Sequence, residues 1–146
     1  MIDVSYGVIP LTLKDNQWLF FLVQHKNGLH WGFPKGHAEN NETPKQSALR
    51  ELKEEADLDP VNDLSISLEE KYTFEKKGET FNKQVHYFLM ETTTEYKLDP
   101  VETVDGGWFT YAHAKEKITF SESQRLLEKA YQEIKKQSHN DSVLIR

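Results

Sequence analysis

Cysteine is absent from the 146 residues. That excludes disulfides, thiolate nucleophiles and cysteine-based zinc sites, and it fits a reducing, cytoplasmic setting. Long apolar runs are absent too. The most apolar stretch, WLFFLVQH from Trp18 to His25, falls far short of the ~20 residues a membrane-spanning helix needs. The N-terminal MIDVSYGVIP has no basic start followed by an apolar core, so no signal peptide is expected. Basic charge is in deficit: 18 Lys and Arg face 24 Asp and Glu, for a net charge of -6. Bulk attraction to long nucleic acid or to an anionic membrane is therefore not expected. An acidic chain that handles phosphates would need local lysines or a metal ion to do so.

What is present, 37% hydrophobic and 29% charged residues, suits a single folded domain over 1–146 with a real core. No internal repeat or linker divides it. Val4 to Leu13 reads as a strand, with Gly7 as a bulge or a point of close approach. Lys14 to Gln17 is a turn, and Trp18 to His25 a buried strand, so the first two segments make a hairpin. Lys26 to Glu42 (KNGLHWGFPKGHAENNE) is punctuated by Gly, Pro and Asn and is expected to lack regular structure. A loop of that length in a small domain is usually functional. Strands are expected over Leu64 to Glu75 and Lys83 to Glu91, joined through Lys77-Gly78-Glu79. In the second of these, Val85, Tyr87 and Leu89 alternate with His86, Phe88 and Met90, as in a central strand covered on both sides. Glu95 to Gly107 is a polar connection and Trp108 to Tyr111 a short last strand. A final helix runs from about Ser121 to Gln137, opened by a Ser121/Gln124 capping pattern and burying Leu126, Leu127, Ala130, Tyr131 and Ile134. Residues 138–146 form a polar, flexible tail. The order strands, helix, strands, helix predicts an α+β domain built on a mixed sheet.

The chemistry concentrates between Gly36 and Leu58 (GHAENNETPKQSALRELKEEADL). Thr43 as N-cap, Pro44 at the first helical position and Gln46 three residues after the cap predict a helix start. Ala48, Leu49, Leu52 and Ala56 form its apolar stripe. Glu51, Glu54 and Glu55 lie off that stripe and within one turn of one another, with Arg50 beside them. Like charges at this spacing repel by a few tenths of a kcal/mol per pair, roughly, on an exposed helix. A hard divalent cation relieves that repulsion, and magnesium takes a few carboxylate oxygens while keeping waters and substrate phosphates. A solvated acidic helix face would have the same composition. The aromatic, glycine-containing loop directly before the helix favours a metal site.

The spacing of Gly36, Glu42, Arg50, Glu51, Leu52, Glu54, Glu55 and Leu58 resembles the signature of the Nudix hydrolases. One position departs: Asp57 stands where that pattern has glycine, at the helix end, and Asp tolerates the left-handed conformation better than most residues. The resemblance implies a Nudix-type α/β/α sandwich, with the mixed sheet between helices, and hydrolysis of a phosphoanhydride by a metal-activated water. It implies Glu51 and Glu55 as principal ligands of Mg2+, with Mn2+ as an alternative. Glu54 would complete the site, the Gly36 carbonyl would face the metal, and Glu102 would be a further acidic candidate. Arg50 would orient a glutamate, and Glu42 would act from an outer position.

The flanks are similar to the asymmetrical diadenosine tetraphosphate hydrolases. His30-Trp31-Gly32-Phe33-Pro34-Lys35-Gly36-His37 resembles their loop element, and Phe74 with Lys83-x-Val85-x-Tyr87-Phe88-Leu89 their aromatic and lysine strand. Ile118-Thr119-Phe120 resembles the segment ahead of their last helix. This implies polyphosphate contacts from His30, Lys35 and Lys83, and base stacking by Phe74 and Phe120, where phenylalanine replaces the usual tyrosine. Tyr87 joins the expected substrate-binding set. Trp31 and Phe33 would pack beside the loop. Two other readings stay open: a nucleoside triphosphate pyrophosphatase or RNA 5'-pyrophosphohydrolase, and a nucleotide-sensing Nudix module that does not cleave.

Overall fold

The two apolar N-terminal segments do form a hairpin. In the computed structural model, which describes residues 2–145 and side chains as far as 137, β1 (Ile2–Lys14) and β2 (Gln17–His25) pair antiparallel, from Leu11 opposite Phe20 to Lys14 opposite Gln17. Two further hairpin strands follow after the first helix, β5 (Pro60–Lys76) and β6 (Glu79–Thr92). Lys77 and Gly78, both at positive φ (52° and 79°), make the turn between them. That is the two-residue turn whose twist matches the flanking strands. β6 then runs parallel to β1, Ile9 opposite Leu89, while β7 (Thr103–Thr110) lies antiparallel on β2. With the two-residue strands β3 (Trp31–Gly32) and β4 (Lys35–Gly36), this makes a seven-stranded mixed sheet.

Both faces are covered, because the central strands are apolar on both. On one face Val8, Phe21, Val23 and Met90 meet Ala48, Leu52 and Ala56 of α1 (Pro44–Ala56). On the other, Ile9, Phe20, Leu22, Val85 and Leu89 meet Ala114 of α2 (Tyr111–Lys117) and Leu126, Leu127, Ala130 and Ile134 of α3 (Ser121–Ile145). The result is the expected α+β sandwich with a mixed sheet between helices.

α1 is held at both ends as its sequence signals. Thr43 accepts the Gln46 amide at 3.2 Å while Gln46 Oε1 accepts the Thr43 amide at 2.9 Å. At the other end Asp57 adopts the left-handed conformation (φ 55°, ψ 39°), and its N–H reaches the Lys53 carbonyl at 3.0 Å. The helix is seated by Leu52, which is fully buried. Leu52→Ala should cost about 2–5 kcal/mol, read as a lower urea midpoint with unchanged m-value; a loss below 1 kcal/mol, roughly, would mean the site collapses to fill the space.

Several details differ from the sequence pattern. β5 starts at Pro60 and β7 at Thr103, earlier than their apolar residues suggest, because exposed strand positions carry polar side chains. Helix α2 was not anticipated; seven residues with no apolar stripe give little periodic signal. Its N-cap, Thr110 accepting from the His113 amide at 3.3 Å, is the one local cue. The Ser121/Gln124 pair does not form a capping box: Gln124 donates through Nε2 to the Ile118 carbonyl at 2.9 Å. The loop over 26–42 contains β3 and β4. Gly7 is a point of close approach, where a Cβ would strike the Pro34 carbonyl and stand 2.8 Å from the Tyr87 ring. The flexible tail expected over 138–146 falls on residues whose side chains lie outside those described.

Candidate active site

β4 and α1 bring Gly36, Glu51, Glu54 and Glu55 to one cavity of about 830 Å3, which Glu102, Lys35, Lys83 and His30 also line. Glu55 points inward. It is only 4% exposed, although its spacing puts it outside the apolar stripe. The Lys35 amide donates to its Oε2 at 2.9 Å, and His25 Nδ1 stands 3.5 Å from its Oε1. Burial, then the neighbouring Glu51 charge, pushes the Glu55 carboxyl up to about 9. Burial raises Glu51 as well, with Glu54 and Glu102 adding repulsion, while Arg50 pulls the other way.

Arg50 organises the rest. Its Nε donates to Glu42 Oε2 at 2.7 Å, and its Nη1 to Glu51 at 2.9 Å and Glu54 at 3.1 Å. Nη2 ties the loop through the His37 carbonyl at 2.8 Å. Glu42, bonded to Arg50 and then to the Glu39 amide, is held low at about 2. Arg50 thus links Glu42 to Glu51 and Glu54. Gly36 sits so close to Glu51 that an added Cβ would overlap its carboxylate.

As the side chains stand, no three carboxylate or imidazole groups converge on one point among the described residues. Arg50 Nη1 draws Glu51 and Glu54 to itself, while Glu55 is turned to the Lys35 amide. The donor chemistry nevertheless fits a hard divalent cation: carboxylate oxygens, one of them deeply buried, with burial first and neighbouring carboxylates after it raising Glu51 and Glu55.

Basic groups line the same cavity. Lys83 is 5% exposed and donates to Ser5 at 2.5 Å and Asp3 at 3.1 Å. Lys35 is lowered by burial and by Lys83. Asp3 is raised by burial but held low overall by His37, at 2.6 Å, and Lys83. His30 stacks on His25 with ring centroids 4.7 Å apart and leans on Phe120 at 5.1 Å. Phe120 and Phe74, distant in sequence, line a second cavity of about 290 Å3 with Tyr72 and Glu70. Phe74 also stacks on Phe81 at 5.2 Å.

Tyr87 is a correction. It is 2% exposed, edge-on to Phe33 at 5.6 Å, and belongs to the core; an inward position on a central strand leaves it no access to a substrate. Phe33 is likewise core, while half-buried Trp31 is covered by the Lys117 ammonium at 4.4 Å from its ring. The sequence reading missed His25, Asp3, Ser5 and Glu70. His25 ends an apolar strand and looked like its last buried residue. Its Nε2 is buried without a partner among the described residues, and burial, then His30, lowers it to about 3.

The model of the NUDIX domain family matches residues 1–130. Among known sequences, the chain is 30% identical over 109 residues to the protein named MutT4 of Mycobacterium tuberculosis, covering 74% of this chain and 44% of that one. It is 38% identical over 89 residues to the asymmetrical bis(5'-nucleosyl)-tetraphosphatase of Sus scrofa, covering 59% and 52%. The chain therefore spans about half the length of these relatives. Among solved structures it superposes on a C. elegans Ap4A hydrolase binary complex with a TM-score of 0.72 at 23% identity, over 90% of this chain and 96% of that one. At that identity the likeness speaks to the fold. No helix among the described residues is long and apolar enough to cross a membrane.

Proposed function

Since the chain belongs to the NUDIX domain family, we propose that it is a phosphoanhydride hydrolase acting on a dinucleoside polyphosphate, diadenosine tetraphosphate foremost, and releasing a triphosphate and a monophosphate. The observation that carries this reading is the pairing of two adjoining cavities. One gathers carboxylates together with Lys35 and Lys83, and the other is lined by Phe74 and Phe120. A polyphosphate suits the first and a base the second. The name of the Sus scrofa relative, a bis(5'-nucleosyl)-tetraphosphatase, supports it.

Glu51, Glu54 and Glu55, with the Gly36 carbonyl and Glu102, would hold a divalent cation, Mg2+ in the first instance. Such a cation neutralises phosphate charge and makes water a better nucleophile. The chain's own groups do the remaining work. Arg50 keeps Glu51 and Glu54 oriented and ties the loop to the helix. Lys35 and Lys83 offset charge on the bridging and departing oxygens, an effect strengthened by their burial. His30, packed between His25 and Phe120, lies where the two cavities meet and would orient the phosphate chain against the base. A glutamate of the cluster would take the proton from the attacking water.

The test is a substrate panel in Mg2+ and in Mn2+ with product identification. It includes diadenosine tetraphosphate, nucleoside triphosphates, 5'-triphosphorylated RNA and ADP-ribose. Diadenosine tetraphosphate should lead by about tenfold or more in kcat/KM, since a second nucleotide adds contacts that single nucleotides lack. Faster turnover of RNA ends or triphosphates would move the assignment to those substrates. Tight binding with no turnover of any would make the protein a nucleotide sensor.

A further inference from the structure

Glu70 is a buried carboxylate, 5% exposed, that none of the roles above uses. It sits on β5, and its Oε2 accepts from the Ser123 hydroxyl at 2.8 Å in the first turn of α3. Ser123 is itself buried, so this oxygen is fixed. Glu70 lines the 290 Å3 cavity beside Phe74, Phe120 and a second carboxylate, Glu122. No lysine or arginine lines that cavity, whereas the larger one has Lys35 and Lys83.

The two cavities adjoin at two places. Phe120 of the small one meets His30 of the large one at 5.1 Å between ring centroids. Across the β5–β6 pair, Tyr72 of the small cavity stands opposite Lys83 of the large one. A ligand spanning both meets cations at one end and, at the other, aromatic faces with carboxylates between them. A flat, apolar group whose edge offers N–H donors suits that end, because the aromatic faces take its plane and a carboxylate accepts strongly from such donors.

We propose that Glu70 reads the edge of the nucleobase held by Phe74 and Phe120, selecting adenine over its 6-oxo counterpart hypoxanthine. The inference rests on the proposed placement of a nucleotide across the two cavities. The exocyclic amine of adenine donates to the Glu70 carboxylate. Hypoxanthine held in the same place would set its carbonyl oxygen where that amine stood, acceptor to acceptor, with its own N–H donor one atom away at ring position 1. Glu70 is therefore a specificity-determining residue, and Ser123 is its positioning partner.

The test compares adenine and hypoxanthine forms of the same ligand on the full-length protein. With Mg2+ present, wild type should prefer diadenosine over diinosine tetraphosphate by about tenfold or more in kcat/KM, the range of a hydrogen bond to a charged group. Glu70→Gln has the same shape, and its amide can donate to the hypoxanthine oxygen. It should bring the ratio to within about threefold of unity. A purely structural role would slow both substrates alike and leave the ratio unchanged, which would overturn the proposal. Calorimetric titration of AMP against IMP gives the same ratio without turnover. Absence of turnover with an intact adenine preference counts against the hydrolase reading and not against Glu70. Absence of binding by either nucleotide overturns the proposal. Should the variant fail to fold, N6,N6-dimethyl-AMP, which stacks but cannot donate, must bind wild type about tenfold more weakly than AMP; equal binding overturns it.

Discussion

Glu55→Gln should abolish turnover, lowering kcat by more than about 100-fold while leaving the fold intact. Residues that merely orient a metal ligand cost 10–100-fold, roughly, when mutated, and Glu55 is assigned to the ligand set itself. The reason the fold should survive lies in the burial of this group. With its carboxyl pushed up to about 9, Glu55 of the metal-free protein holds its proton at neutral pH, and the glutamine amide is close to its replica in shape and charge. Without metal the two proteins should therefore melt closest together below about pH 4.5, where the carboxyl is protonated in the folded and the unfolded chain alike. They should part as pH rises. Between the unfolded value of about 4.5 and the folded value of about 9, the folded wild type binds more protons than the unfolded chain. Its stability must therefore fall with rising pH across that window, and the variant should lack this component of the slope. Magnesium should raise the wild-type Tm, by stabilising the ionised, folded form, and should leave the variant's Tm nearly unchanged. A variant with near-normal kcat, or one with an undiminished response to magnesium, would remove Glu55 from the site.

How much of this was readable from residue order differs from one group to the next, for physical reasons. The α1 boundaries were readable because Thr43, Pro44, Gln46 and Asp57 act within a few residues of themselves. The two-faced strand β6 was readable because apolar alternation with both phases filled has one common cause, a sheet covered on both sides. The assembly of the cavity walls was not. Asp3 meets Lys83, and Ser123 meets Glu70, only because β1 lies parallel to β6 and α3 returns across β5. Such contacts are settled by topology, to which single-residue patterns are blind. Tyr87 and Glu55 show the same limit from opposite sides. An aromatic in a substrate-strand motif proved to be core, and a glutamate outside the apolar stripe proved to be nearly as buried as that stripe. Helical spacing tells which residues share a face. It does not tell how far the neighbouring loop, here the turn through Lys35 and Gly36, folds over that face.

That overhang makes Gly36 the most sensitive backbone position in the site. Gly36→Ala should lower turnover by about 100-fold, the scale expected when a reacting group is displaced by 1 Å or so. The added methyl would occupy the place of the Glu51 carboxylate, which cannot simply swing aside. Arg50 Nη1 grips it at 2.9 Å, and Arg50 is itself fixed by Glu42 and the His37 carbonyl. Displacing Glu51 therefore disturbs Glu54, which shares that nitrogen. Gly32 supplies the control: four residues earlier in the same loop, a Cβ there meets no atom within 4 Å, so Gly32→Ala should leave kcat/KM within about twofold. The effect of Gly36→Ala is one of space, because its φ is not among the positive values that favour glycine. Shortening Glu51 should then relieve it. The double variant Gly36→Ala/Glu51→Asp should turn over faster than Gly36→Ala alone, even though Glu51→Asp by itself is slower than wild type. A non-additivity of that sign, measured as a double-mutant cycle in kcat, is what direct contact requires; strictly additive losses would place the two residues in separate roles.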